Sequence, residues 1–315
     1  MDMASSKGSV SLMTWNVNGL RMRNRQDRVC QYLQDSGAQI FILQETHLLL
    51  QESKKLFSGW KWVSKVVSSD QLVTAKGVSI IIRKGSGIEL VDSRMDCSGR
   101  WAIARLSCKN ITFTCVGYYG PNNDDPAPLQ ALERNLLDFP SPIIMGGDFN
   151  ILMDNDLDRS SRMKPVGMSR TRREVKALVE DFGLCDIWRV RHMGERGYTF
   201  HCKKYGHFSR LDFFLMEKSL VDIVKDISHK ASHLSDHSPV SLFLEFSGSR
   251  TKTRWTVDRS LFLDQEVIQS LTTETNFYFQ ANEGSACLGV VWDAYKAYIR
   301  GILRKLAFVR SRKYS

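Results

Sequence analysis

No apolar run in the 315 residues approaches the roughly 20 residues that a membrane-spanning helix needs. The opening stretch, Met1-Asp2-Met3-Ala4-Ser5-Ser6-Lys7, lacks the apolar segment of a secretory signal. Neither membrane insertion nor export is expected. The seven cysteines (Cys30, Cys97, Cys108, Cys115, Cys185, Cys202 and Cys287) are odd in number, scattered and never spaced Cys-x-x-Cys. That argues against a zinc site and against a disulfide framework, and leaves reduced thiols in a cytosolic or nuclear protein. Internal repeats and long low-complexity segments are also missing.

What is present is an ordinary globular mix, 43% apolar and 25% charged, long enough for one large α/β domain with an extension or for two modest domains. A formal charge of +10 favours a polyanionic partner, because each Lys or Arg that neutralises a phosphate releases condensed counterions. Charge alone does not single out nucleic acid.

Short β-rich runs at 10–16, 40–44, 78–83, 102–106, 111–118, 143–147, 211–215 and 240–246 alternate with stretches of helical periodicity at 21–35 and 172–182. Three strands with short connections between 78 and 118 suggest antiparallel meanders. The mixture predicts an α/β fold of two packed mixed β-sheets with helices outside. Composition shifts at Ser247-Gly248-Ser249-Arg250, which sets a boundary between a domain over 1–247 and a linker with a helical segment over 248–315. In that segment Leu288, Val291, Trp292, Tyr295, Ile299, Ile302, Leu303 and Leu306 form one apolar stripe, expected to pack on a neighbouring domain, with nucleic-acid or membrane-surface contact as alternatives.

Polar residues cluster at strand ends. They occur in Trp15-Asn16-Val17-Asn18-Gly19, Gln44-Glu45-Thr46-His47, Gly117-Tyr118-Tyr119-Gly120-Pro121-Asn122, Gly146-Gly147-Asp148-Phe149-Asn150, Ser209-Arg210-Leu211-Asp212 and Ser235-Asp236-His237-Ser238. Each alone has a bland explanation as a turn, a cap or a surface acid. Together they supply hard oxygen ligands for Mg²⁺ or Mn²⁺, amides that orient phosphate, and a histidine beside carboxylates. Phosphodiester hydrolysis needs that inventory: a metal to offset phosphoryl charge, a base for water, and a group that stabilises the leaving oxygen.

This ordered set resembles the exonuclease/endonuclease/phosphatase superfamily, which includes DNase I and the apurinic endonucleases. Within it, Gln44-Glu45-Thr46-His47, Leu157-Asp158-Arg159-Ser160 and Tyr198-Thr199-Phe200 resemble the endonuclease that opens the second open-reading-frame protein of LINE retrotransposons. Arg254-Trp255-Thr256-Val257-Asp258 and Val291-Trp292-Asp293-Ala294-Tyr295-Lys296 resemble the segment those proteins carry between endonuclease and reverse transcriptase. The resemblance implies a four-layer, DNase I-like α/β sandwich. It also implies a Mg²⁺-dependent nickase of double-stranded DNA whose 3′-hydroxyl product primes reverse transcription, and a longer protein that carries a reverse transcriptase, binds the element's RNA and acts in the nucleus after cytoplasmic synthesis.

Carried over by motif, Glu45 is the expected principal metal ligand, with Asn16 nearby and Asp236 binding metal or orienting its shell. Asp148 and Asn150 are expected at the scissile phosphate, Asp148 as base. Asp212 is expected to orient His237 toward a phosphate oxygen, Tyr119 to touch the phosphate, and His47 to support Glu45. Thr199, Asn18 and Asn122 are expected at the DNA. The basic run Arg159, Arg162, Lys164, Arg170, Arg172, Arg173 and Lys176 is read as contacting the DNA backbone, against the alternative of a solvated face. His192, His201, His207, His229 and His233 are read as surface or packing residues. Apurinic endonucleases usually carry Asp where this chain has Asn18, which favours the retrotransposon nickase over an abasic-site repair enzyme. A catalytically silent DNA-binding module is the remaining alternative.

Overall fold

Alternating burial along the strands sorts the chain into two sheets that share one core. The computed structural model describes residues 8–109, 111–139, 142–161, 168–246, 259–284 and 287–313. In chain order the strands are β1 (Gly8–Asn16), β2 (Ile40–Gln44), β3 (Val63–Ser68), β4 (Val78–Arg83), β5 (Ile88–Met95), β6 (Trp101–Cys108) and β7 (Ile111–Tyr119). They continue with β8 (Ile143–Asp148), β9 (Leu184–Asp186), β10 (Phe200–Cys202), β11 (His207–Ser209), β12 (Asp212–Glu217), β13 (Val224–His229) and β14 (Val240–Phe246). The helices are α1 (Arg23–Ser36), α2 (Leu50–Gly59), α3 (Ala127–Leu136), α4 (Arg170–Asp181), α5 (Ile187–Arg191), α6 (Gln265–Ala281) and α7 (Leu288–Lys313).

One six-stranded sheet runs β13-β14-β1-β2-β4-β3, the other β5-β6-β7-β8-β12-β9, and β10 with β11 forms a separate hairpin. Both large sheets are mixed: β1 and β2 are parallel, as are β7 and β8, and the remaining pairs are antiparallel. Successive side chains point to opposite faces of a strand. In β1, Val10 and Leu12 enter the core between the sheets, whereas Met13 and Trp15 join a second core that includes Val29 and Leu33 of α1 and Phe57 of α2. In β8, Ile144 faces the inter-sheet core, and Ile143 and Met145 meet Leu129, Leu132, Val175 and Leu178 of α3 and α4. The result is the expected helix-sheet-sheet-helix sandwich.

The eight expected strands and the two expected core helices are all present, with ends within two residues of those read from the sequence. The meander expected over 78–118 needs correction. That stretch holds four strands, β4 pairs in the first sheet with β2 and β3, and only β5-β6-β7 form the meander. The apolar stripe of α7 buries Val291 and Leu303, and the helix packs against α6 and reaches α4. Both the boundary at 247–250 and the Arg254 to Asp258 segment lie outside the described residues.

Two glycines set the distance between the sheets. Gly117 and Gly146 are register partners on β7 and β8. A Cβ at Gly117 would lie 2.7 Å from Val78 Cγ1 and 2.8 Å from Ile42 Cγ2 of the other sheet, and one at Gly146 would lie 3.1 Å from Ile42 Cδ1 across the core and 2.6 Å from Cε1 of its own register partner Phe214. Branched side chains rooted in the opposing strands cannot swing away cheaply. Gly117→Ala is therefore expected to lower unfolding free energy by about 1–3 kcal/mol through overpacking. Urea denaturation checks this, and an unchanged midpoint would mean that the sheets are free to part.

Candidate active site

All the strand ends that carry the polar motifs meet at one edge of the sandwich. Parallel β1 and β2 finish there, and antiparallel β14 starts there, with Asn16 beside Gln44 and Thr14 beside Val240. In the other sheet β7 and β8 finish and β12 starts there, Asp148 lying between Tyr119 and Asp212. Strand parity aims the side chains. Asn16 follows Val10, Leu12 and Thr14; Asp148 follows Ile144 and Gly146; Tyr119 follows Phe113, Cys115 and Gly117. Asp212 precedes Phe214 and Met216 on β12. Each therefore continues a face that fills the inter-sheet core, and the polar groups converge where that core reaches the surface.

Glu45 breaks this parity. Alternation would place it with Phe41 and Leu43 on the helix-facing side, but its backbone is left-handed, with φ 50°, and its carboxylate turns back to Asn16. Among the described non-glycine residues, five have positive φ, and four of them (Asn18, Glu45, His47 and Asn150) lie at this edge. Asn tolerates that conformation, but Glu and His do so at a cost of about 1–2 kcal/mol each, which the surrounding contacts offset.

Asn16 joins the two sheets. Its Nδ2 donates to Glu45 Oε1 at 2.8 Å and to Asp148 Oδ2 at 2.9 Å, and its Oδ1 accepts the Asn18 amide at 3.0 Å. The expected oxygen ligand thus serves here as a donor bridging two carboxylates. Burial pushes the Glu45 carboxyl up, but hydrogen bonds from His47, Asn16 and Tyr119 outweigh it and bring it down to about 2. Glu45 is therefore ionised at neutral pH, with His47 Nε2 3.3 Å from its Oε2.

On the other side of Asn16, Asp148 is 1% exposed and Asp212 is fully buried. Asp148 Oδ1 accepts the Asn150 amide at 3.0 Å, and Asn150 Nδ2 donates to Gly120 O at 2.9 Å. His237 Nδ1 is 2.7 Å from Asp212 Oδ2, and its Nε2 is 3.8 Å from Asp148 Oδ2. Burial and the neighbouring Asp212 raise the Asp148 carboxyl well above its usual range, against the pull of His237. Burial lowers His237, but Asp212 and Asp148 more than reverse this and hold the imidazole charged above neutrality. Asn18 Nδ2 donates to Asp236 Oδ1 at 3.0 Å, a bond that an Asp at position 18 would replace with repulsion.

A divalent cation fits this donor set. Asp212, Asp148 and Asp236 surround the His237 imidazolium, Glu45 adds an ionised carboxylate beside Asn16, and the buried Asp212 Oδ1 has no hydrogen-bond partner among the described residues. The site carries excess negative charge and offers hard oxygens, the chemistry that suits Mg²⁺ or Mn²⁺. Asp148, Asp212 and His237 bring ligand atoms within 4.8 Å of one another. Because Asp212 already holds the ring through Nδ1, these three read better as a proton-sharing group than as a metal cage.

The other expected residues are placed differently. Thr199 is 1% exposed, and its hydroxyl accepts the amides of Leu211 and Asp212 at 3.0 Å each. It braces the start of β12 from inside, a burial that does not suit the expected DNA contact. Asn122 and Arg173 are exposed. Arg170 pairs with Asp124, which also accepts the Arg170 and Thr171 amides. Arg172 donates to Asn155 Oδ1 and Met153 O. Arg159 lies 3.5 Å from His207. Arg162 and Lys164 lie outside the described residues. His192 and His229 stack on Trp188, and His201 stacks on Phe208, in keeping with packing roles.

Two further buried groups, outside the expected site residues, support the edge. The buried Trp15 Nε1 donates to His237 O at 3.0 Å and holds the β14 approach against β1. Beneath Thr199, Asp158 and Arg210, both fully buried, pair at 2.8 Å, and Arg210 also meets Asp186 at 2.7 Å while Arg189 contacts Asp158. Charges of opposite sign inside the short motifs containing Asp158 and Arg210 were the available signal.

Residues 13–237 match the Endonuclease/Exonuclease/phosphatase family. Over 93% of its length the chain is 24% identical to the Transposon TX1 uncharacterized 149 kDa protein of Xenopus laevis, of which it spans 22%. It is 27% identical to an exodeoxyribonuclease of Bacillus subtilis (strain 168), covering 75% of this chain and 99% of that one. Among solved structures, the AP endonuclease LMAP from Leishmania major superposes with a TM-score of 0.64 at 18% identity, over 76% of this chain and 88% of that one. The last likeness bears on the fold alone. The transposon relative bears out the resemblance drawn from the motifs.

Proposed function

Because this chain belongs to the Endonuclease/Exonuclease/phosphatase family, we propose that it is a Mg²⁺-dependent endonuclease that nicks one strand of duplex DNA and leaves a 3′-hydroxyl. The observation that carries this reading is the Asn16 amide, which ties the Glu45 carboxylate of one sheet to Asp148 of the other, 3.8 Å from His237. Glu45, with Asn16 and Asp236 beside it, would hold the ion, with Mn²⁺ as a substitute. The ion supplies a Lewis acid that offsets phosphoryl charge.

The chain's own groups do the rest. Asp148, ringed by Asn16 and the Asn150 amide, takes a proton from the attacking water. The His237 imidazolium, oriented by Asp212, offers Nε2 to a phosphate oxygen as negative charge builds there. Tyr119, hydrogen-bonded to Glu45, and Asn150 flank the phosphate. Asn18 and Asn122, with Arg159, Arg170, Arg172 and Arg173, would contact the duplex backbone. The similarity to a transposon protein supports a role in element insertion, in which the nick primes reverse transcription in the nucleus and the full-length protein brings a reverse transcriptase and the element's RNA. In that setting residues 1–247 are the nuclease and 248–315 lead toward the next domain. Abasic-site incision is a second reading within the same family.

Nicking of supercoiled plasmid with Mg²⁺ or EDTA, beside matched intact and abasic oligonucleotides, tests both. Open circles lost with EDTA are expected, and incision confined to the abasic duplex would move the assignment to repair. Glu45→Gln is expected to raise the Mg²⁺ concentration needed for half-maximal nicking about tenfold or more, as weakened ligation predicts. An unchanged Mg²⁺ requirement would argue against Glu45 as ligand.

A further inference from the structure

Asn18 stands in a left-handed turn, with φ 47°, between Val17 and Gly19, both of which are buried. Two carbonyls bracket it, and one side chain takes both. Arg25, half-buried in the first turn of α1, donates through Nη2 to Val17 O at 2.6 Å and through Nε to Gly19 O at 2.8 Å. The next residue, Gln26, donates through Nε2 to Leu20 O at 2.7 Å. From the other side, Val17 N, Gly19 N and Leu20 N donate to Gln44 O, Glu45 O and Thr46 O at 3.0, 2.7 and 2.9 Å. The turn is held through its carbonyls by α1 and through its amides by residues 44–46.

Helix formation does not explain this arginine. α1 opens without a side-chain cap and without an acid in its first turn, and a cation there opposes the helix dipole. Its use lies in shape: one edge of a guanidinium is a planar fork of two donors, whereas an ammonium is a single point on a flexible stem. A fork across the two carbonyls that bracket Asn18 fixes where the Asn18 amide points. That amide donates to Asn16 Oδ1 at 3.0 Å. An asparagine side chain carries its acceptor on one side and its donors on the other, so a bond to Oδ1 turns Nδ2 toward Glu45 and Asp148. Without that bond the Asn16 side chain is held at one end only, and a small rotation loosens its grip on both carboxylates.

Resting on the nuclease reading, we propose that Arg25 is a positioning residue for nicking: its fork holds the turn over residues 17–19 and, through the Asn18 amide, keeps Asn16 bridging Glu45 and Asp148. Arg25 acts through Asn16 and not on the phosphodiester itself. Asp236, which accepts from the Asn18 side chain, also lies within electrostatic reach of Arg25, so charge opposite Asp236 is the rival account of the same residue.

The test uses the full chain and a short duplex containing a nicking site mapped on plasmid. Arg25→Met keeps the stem and removes the fork, and Arg25→Lys keeps the charge without the fork. Single-turnover nicking at saturating duplex is expected to fall about tenfold in Arg25→Met, within the loss that a misplacement of about 1 Å produces. Arg25→Lys is expected to recover less than half of that loss, and it carries the same comparisons if Arg25→Met does not fold. Affinity for the duplex, measured on Asp148→Asn so that the strand stays whole, is expected to change less than about twofold on adding Arg25→Met, with the same salt slope. Hydrogen exchange read by mass spectrometry is expected to show faster exchange over residues 17–20, while the later turns of α1 keep their protection as the folding control. Weaker affinity with the salt slope reduced by about one would make Arg25 a phosphate contact and overturn the proposal. An undiminished rate in Arg25→Met, full recovery in Arg25→Lys, or unchanged exchange over the turn would overturn it as well, and each leaves the nuclease reading intact. A chain that nicks no duplex with Arg25 in place overturns the nuclease reading, and the exchange result still decides whether Arg25 holds the turn.

Discussion

Asp148→Asn is expected to lower nicking of duplex DNA about a thousandfold or more while leaving the chain at least as stable, because a positioned general base contributes roughly 10²–10⁴-fold. The two halves of that expectation share one cause. Asp148 is buried beside Asp212, and both circumstances disfavour its charge, so the neutral amide removes a folded-state cost. The same raised carboxyl is suited to taking a proton near neutrality. His237→Ala should cost a similar factor, and the double variant little more than either alone, since the two groups act as a unit. The pH dependence has a definite sign. Activity should rise as Asp148 loses its proton and fall as His237 loses its own. Asp212 is the chief group that raises His237, so Asp212→Asn should move the alkaline limb to lower pH. Single-turnover nicking across pH, with circular dichroism of each variant, checks all of this. Retention of more than about a tenth of the activity in Asp148→Asn would sink the assignment of Asp148 as base.

Much of this arrangement was legible in the sequence for physical reasons. Inner strands such as β1, β2, β7 and β8 are covered on both faces or alternate cleanly, so their apolar pattern marks them, and their terminal polar residues fall where parity aims them. The strands that went unread tell the complementary story. β3, β5, β9 and β13 are the four outer strands of the two sheets, and the other two, β10 and β11, are three-residue strands of a separate hairpin, too short to show a period. Edge strands carry charges and exposed positions, as Ile88–Met95 does, and so lose the periodic signal. Nothing in Gln44-Glu45-Thr46-His47 announces the left-handed backbone at Glu45 and His47, because no glycine stands there and tertiary contacts impose it. The motif Tyr198-Thr199-Phe200 carries identity without direction, so it does not tell a threonine facing DNA from one facing inward. The two backbone partners of Thr199 on β12 turn it inward.

The largest stability effect should come from outside the catalytic groups, at Arg210. Its guanidinium is fully buried, bonded through Nε to Asp158 at 2.8 Å and through Nη2 to Asp158 at 3.1 Å and Asp186 at 2.7 Å. Asp158 also accepts the Asp154 amide at 2.8 Å, so the pair ties the loop after β8 to the approach of β12. Replacing Arg210 by Met of similar length keeps the packing on Phe213 but leaves the fully buried Asp158 with Arg189 as its one cation and the largely buried Asp186 without its guanidinium. Breaking a buried ion pair from one side costs about 3–5 kcal/mol, whereas removing both partners is often close to neutral. Arg210→Met is therefore expected to lose about 3–5 kcal/mol in urea denaturation. Adding Asp158→Asn and Asp186→Asn should restore most of that, although Arg189 then lacks its Asp158 partner. Nicking should respond differently. Asp212 lies two residues beyond Arg210, and the amide of Asp212 hangs on Thr199, so a loosened segment misaligns His237 even in molecules that remain folded. A triple variant that regains stability and nicking together would show that the charges serve folding alone. One that regains stability without nicking would show that the guanidinium also sets the position of Asp212.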